Sequence, residues 1–121
     1  MALAMVLSCG VALAATLNEN DGPNTLNGID KADTMRGLGG ADWIYGRGGR
    51  DVMYGGDGRD RMYGGNGFNR ISAGAGNDFV SVIGDNAGDY ANCGPGNDTV
   101  NEQLGEQGPE DVYENCENVA V

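Results

Sequence analysis

The chain has 121 residues, with 18 acidic against 7 basic side chains, a formal net charge of −11 and no histidine. The length suits one domain. The acidity makes phosphate backbones and anionic membrane surfaces poor partners and cations good ones, and the missing histidine removes a His general base and a His zinc ligand. Glycine supplies 23 residues, far above its usual share of about 7%. Such a composition alone would also describe a disordered chain; the periodicity below argues against that.

In chain order, the opening stretch MALAMVLSCGVALAAT is small and apolar. It has the h-region and cleavage site of a secretory signal peptide, with Ala12-Leu13-Ala14 as the A-x-A site, although no Lys or Arg precedes it. Residues 1–14 are accordingly expected to be a signal peptide and the mature protein to be secreted. The apolar run is too short for a membrane span. Cys9 would leave with the leader. Cys93 and Cys116 then remain as an even pair, which in an exported chain suggests one disulfide, with two unpaired thiols as the alternative.

From about Glu19 a nine-residue period takes over. Stepping by nine through Asp60 meets Asn24, Asp33, Asp42, Asp51, Asn69 and Asp78. Two places beyond each anchor stand Leu26, Met35, Ile44, Met53, Met62, Ile71 and Val80, all apolar. Two places before each stands glycine, with Lys31 as the exception. Beyond Val80 the step widens, and the frame continues as Asp89 with Ala91, Asp98 with Val100, and Glu110 with Val112. The repeat is thus expected over residues 19–113, with a cap at 114–121.

Each unit has a Gly-rich half, suited to turns, and a three-residue strand half whose middle residue is apolar. Glycine at this density costs a helix about 1 kcal/mol per site. Two units make one coil of 18 residues with two strands and two turns, and stacked coils pair their strands in parallel around a narrow apolar core. Asn24, Asp42, Asp60, Asp78 and Asp98 then line one edge, and Asp33, Asp51, Asn69, Asp89 and Glu110 the other. Ionised carboxylates one strand spacing apart repel by about 3 kcal/mol at an effective dielectric near 20. Several calcium ions between the turns would neutralise them, because calcium accepts six to eight oxygens in irregular geometry. Glycine-rich turns would aim main-chain carbonyls at the same places.

The unit GGDGRDRMY at 55–63 resembles the hemolysin-type (RTX) calcium-binding nonapeptide repeat G-G-x-G-x-D-x-U-x in full. GLGGADWIY (37–45), GRGGRDVMY (46–54), GGNGFNRIS (64–72), AGAGNDFVS (73–81) and CGPGNDTVN (93–101) resemble it with one or two departures. The resemblance implies an all-β parallel β-roll, a two-sheet solenoid with calcium in the turns. It places metal ligands at Asp33, Asp42, Asp51, Asp60, Asp78, Asp89 and Asp98. Asn24 and Asn69 would be weaker, neutral ligands, and Glu110 a doubtful one. Turn carbonyls are expected from Gly37, Gly39, Gly46, Gly48, Gly55 and Gly64. Outside the core, Trp43, Tyr45, Arg61, Tyr63 and Phe79 should share one sheet face. They would act either as cross-strand packing, with Arg61 forming cation–π contacts, or as a surface for a glycan or protein partner through Trp43, Tyr45 and Tyr63. The expected function is a secreted protein that folds on binding calcium, with a calcium-rigidified adhesive or structural protein as the alternative and no enzymatic activity.

Overall fold

The computed structural model describes residues 16–102 and 110–120. The leader assigned to 1–14 and Cys9 lie outside the described residues. Twelve strands follow one another: β1 (Thr16–Asn18), β2 (Thr25–Asn27), β3 (Thr34–Arg36), β4 (Trp43–Tyr45), β5 (Val52–Asp57), β6 (Arg61–Tyr63), β7 (Arg70–Ala75), β8 (Phe79–Ser81), β9 (Tyr90–Asn92), β10 (Thr99–Asn101), β11 (Val112–Glu114) and β12 (Asn118–Ala120). The odd strands form one six-stranded sheet in the order β1-β3-β5-β7-β9-β11, and the even strands form the other, β12-β10-β8-β6-β4-β2. Every pairing is parallel, with Met35 opposite Met53 and Ile44 opposite Met62. The chain is a parallel β-solenoid of two sheets, wound with one unit in each sheet per coil. Paired strands run from Thr16 to Ala120, one strand beyond each end of the nonapeptide run.

In β1, β2, β3, β4, β6, β9 and β10 only the middle residue is buried, as strand alternation requires. Leu17, Leu26, Met35, Ile44, Met53, Met62, Ile71, Val80, Ala91 and Val100 form the core, one from each of β1 to β10, and Ala73, Val82 and Cys93 join them. The apolar column of the sequence is therefore the core of the fold.

The turns need positive φ. In successive units the second residue is left-handed: Leu38 and Arg47 at 74°, Gly56 at 101°, Gly65 at 79° and Gly74 at 102°. From Gly58 onward the fourth position of the unit packs closest. Gly58 sits at φ 119°, and a Cβ there would collide with the carbonyl oxygen of Gly40 in the neighbouring coil. Gly58→Ala is expected to cost roughly 1–3 kcal/mol from backbone strain alone, and more from the collision, read as a lowered midpoint in thermal or urea unfolding.

The stacking step is 18 residues from Asn24 through Asp78 and then widens to 20 at Asp98; on the other edge it is 20 at Asp89 and 22 at Asp111. The last widening corrects the expected frame. Ala91 pairs with Tyr113, not with Val112. Tyr113 packs on the core, while Val112 is 53% exposed. The anchor carboxylate therefore belongs to Asp111 and not to Glu110. Near the same end Cys93 and Cys116 are joined in a disulfide, with Cα atoms 5.2 Å apart.

Candidate metal centre

Each anchor residue ends a turn and immediately precedes a strand, so the winding stacks the anchors along the two edges. Asn24, Asp33, Asp42, Asp51, Asp60, Asn69, Asp78, Asp89 and Asp98 are all buried, at 8% exposure or less. On the first edge the main-chain N–H of Asn24 donates to Asp42 Oδ1 at 2.7 Å, that of Asp42 to Asp60 at 2.9 Å, that of Asp60 to Asp78 at 2.8 Å and that of Asp78 to Asp98 at 2.7 Å. On the second edge Asp33 donates to Asp51, Asp51 to Asn69, Asn69 to Asp89 and Asp89 to Asp111 in the same way. The pairs Asp42–Asp60, Asp60–Asp78 and Asp33–Asp51 are thus direct neighbours.

This amide ladder is the feature that sequence reasoning missed. One oxygen of Asp42, Asp51, Asp60, Asp78 and Asp98 is occupied by the backbone of the preceding coil, which fixes the rotamer and leaves the second oxygen without a protein partner. Among the described residues, Oδ2 of Asp42, Asp51, Asp60, Asp78 and Asp98, and Oδ1 of Asn24, are buried with no hydrogen-bond partner. A buried acceptor without a donor is costly, and an ionised one more so. Two further ladder members also escaped the sequence reading. Asp111 was hidden by the widened turn, and Glu117 lay in the expected cap, where its Oε2 accepts the Asp98 N–H at 2.8 Å. Each stands two places before an inward or column residue, Tyr113 and Val119, which strand pairing identifies.

The free oxygens face main-chain carbonyls. Asp42 Oδ2 and the Gly55 carbonyl flank the space that a Cβ on Gly37 would fill. Asp51 Oδ2 and the Gly64 carbonyl do the same at Gly46, and Asp60 Oδ2 and the Ala73 carbonyl at Gly55. At Gly28 the Gly46 carbonyl faces Asp33 Oδ2, but that oxygen accepts the Ile29 N–H at 2.6 Å. Of the turn carbonyls expected from sequence, those of Gly46, Gly55 and Gly64 are brought beside carboxylate oxygens. Gly37 supplies open space beside Asp42, and Gly39 and Gly48 are bridged to Asp57 and Asp30.

Burial shifts the carboxyls strongly. Asp51 and Asp60 are pushed up to about 7 and Asp78 up to about 6, with Asp42, Asp98 and Asp111 also raised. In each case loss of solvent is the largest cause; the amide hydrogen bond pulls the other way, and acidic neighbours add a smaller upward push. Desolvation therefore outweighs the rung-to-rung repulsion that the spacing alone suggested.

These donors suit a hard, oxygen-seeking cation. Among the described residues, no three His, Cys, Asp or Glu side chains converge on one point. A cation in the turns would draw on single carboxylate oxygens together with main-chain carbonyls, a set that fits calcium and not zinc.

On the even sheet, Tyr45 and Tyr63 stack with ring centroids 5.0 Å apart and planes 7° apart, and Trp43 lies 6.3 Å from each. Arg61 sits 4.6 Å over the Trp43 ring, as the register predicts. These contacts occupy faces of the rings within the sheet.

A parallel β-solenoid with buried carboxylates repeated in glycine turns defines a repeat protein built for cations in its turns. The family model described as the RTX calcium-binding nonapeptide repeat (4 copies) matches residues 20–53, 27–62 and 54–82, which together span just over half of the chain. The chain belongs to that calcium-binding repeat family. No curated protein and no solved structure matches it significantly. No helix among the described residues is long and apolar enough to cross a membrane.

Proposed function

We propose that the chain is an exported calcium-binding protein whose roll assembles as several calcium ions enter the turns. The observation that carries this reading is the set of buried Oδ2 atoms of Asp42, Asp51, Asp60, Asp78 and Asp98 that no protein donor meets. Calcium would meet them, held by these carboxylates and by the carbonyls of Gly55, Gly64 and Ala73. A site filled at ten times its dissociation constant stabilises the fold by about 1.4 kcal/mol, so several sites together decide whether a small solenoid is folded. The apolar leader and the Cys93–Cys116 disulfide support export to an oxidising, calcium-rich compartment. The aromatic ladder through Trp43, Tyr45 and Tyr63 is assigned to cross-strand packing, since the rings turn their faces to one another and to Arg61.

The test is far-UV circular dichroism of the purified chain at neutral pH, first calcium-free and then with millimolar calcium. A β-signal that grows several-fold on adding calcium is expected. A full β-signal without calcium, unchanged when calcium is added, would refute assembly on binding.

A further inference from the structure

The anchor column of the second edge contains one member built differently from the rest. Asn69 is fully buried. Its Oδ1 accepts the Asp51 N–H at 3.0 Å, and its Nδ2 donates to the carbonyls of Gly67 at 3.1 Å and Gly65 at 3.4 Å. The Asp51 donor decides which amide atom is oxygen, because exchanging the two would set N–H against N–H. The atom facing the turn is therefore a donor, where an aspartate offers a bare oxygen. At Gly46 and Gly55 the space beside the glycine is flanked by a carboxylate oxygen and a carbonyl. At Gly64 it is flanked by Asn69 Nδ2, 3.0 Å from the position of a Cβ, with Asp89 Oδ2 at 3.3 Å. Asn24 differs again: its Oδ1 is the buried atom without a partner.

We propose that the Asn69 turn takes no calcium, because its side chain sets a donor beside Gly64 where the other turns set a carboxylate oxygen, no main-chain carbonyl is among the nearest atoms there, and the amide is already held by its own turn through Gly65 and Gly67. This inference rests on the calcium reading above and refines it. The second edge is then split into two short calcium-dependent runs, Asp33–Asp51 and Asp89–Asp111, on either side of a turn closed by protein groups alone. The same coil carries the longest ladder among the described residues. β7 begins directly after Asn69 and pairs with β5 over five residue pairs, from Val52↔Arg70 to Asp57↔Ala75. The calcium-free chain therefore keeps its residual structure here first.

The experiment counts bound calcium by titration calorimetry and by equilibrium dialysis, with calcium-free melting followed in parallel, for the wild-type chain and for Asn69→Asp. The variant is expected to bind at least one ion more than the wild type, to melt lower without calcium and to melt higher with it. Asp51→Asn, which places the same amide beside Gly46, is expected to lose an ion and to keep more β-structure without calcium. It serves even if the first variant fails to fold. If the wild type binds calcium but Asn69→Asp gains no ion and Asp51→Asn loses none, the proposal is wrong while the calcium reading stands. If the wild type binds no calcium, both fall.

Discussion

In calcium-free buffer, lowering the pH from about 8 to about 5 is expected to increase the β-sheet content of the chain, and added calcium is expected to bind more weakly at the acid end. Most acidic proteins respond in the opposite direction, because their carboxylates are paired in the native state. Here burial raises Asp51 and Asp60 to about 7 and Asp78 to about 6, against about 3.9 for an aspartate in an unfolded chain. A group whose folded value lies above its unfolded value favours the folded state when protonated. That contribution is complete below the unfolded value and disappears as the pH rises through the folded one, so the window runs from about 4 to about 7. Above it, folding must hold ionised carboxylates out of water, and a divalent cation takes over the role of the protons. Protons and calcium then compete for the same oxygens. Circular dichroism against pH without calcium, and calcium titrations at both ends of the range, check the two halves separately. A β-signal flat across the range would show that these carboxyls do not control folding.

Asp60→Asn is expected to change stability with opposite sign in the two metal states. Asp60 is at the middle of the longer edge column, with Oδ1 accepting the Asp42 N–H and Oδ2 unmet. An amide keeps the first contact and replaces the unmet oxygen with a donor beside the Ala73 carbonyl. Without calcium the variant no longer buries a group that resists ionisation, so its melting temperature should rise. With calcium it should lose at least one ion, and about 1.4 kcal/mol for each lost site held at ten times its dissociation constant. Asp60→Ala removes the acceptor for Asp42 as well, at a cost of about 1–3 kcal/mol, and is expected to be destabilised in both conditions. Thermal melts of the three proteins with and without calcium separate charge from hydrogen bonding. An Asp60→Asn chain less stable than the wild type in both states would contradict the account.

Much of this architecture was legible because the period acts on three columns at once. Apolar residues at Met35, Ile44, Met53 and Met62 fixed which side chains turn inward, and the same count placed Asp42, Asp51 and Asp60 at the turn ends. The frame failed where the turn lengthened. Between Asp98 and Tyr113 nothing in local composition separates Glu110-Asp111-Val112 from Asp111-Val112-Tyr113, and only pairing with β9 selects the second. The amide ladder was illegible for a different reason. A spacing of 18 says that two carboxylates are neighbours, but not that a backbone N–H stands between them. Sequence therefore suggested repulsion as the main obstacle, whereas desolvation of one oxygen per residue is the larger effect. Asn69 illustrates the same limit, since its letter reveals a missing charge but not which amide atom faces the turn.

The disulfide between Cys93 and Cys116 makes the two ends of the solenoid unequal. It spans from the exit of β9 to the entry of β12, so the last coils are tied to each other covalently. Among the described residues no corresponding staple holds β1 and β2. Coils in such a stack touch only their neighbours, so melting starts at an end and travels inward. The chain should consequently unzip from its amino-terminal side and rewind from the cross-linked one, giving assembly a direction that parallel stacking alone does not supply.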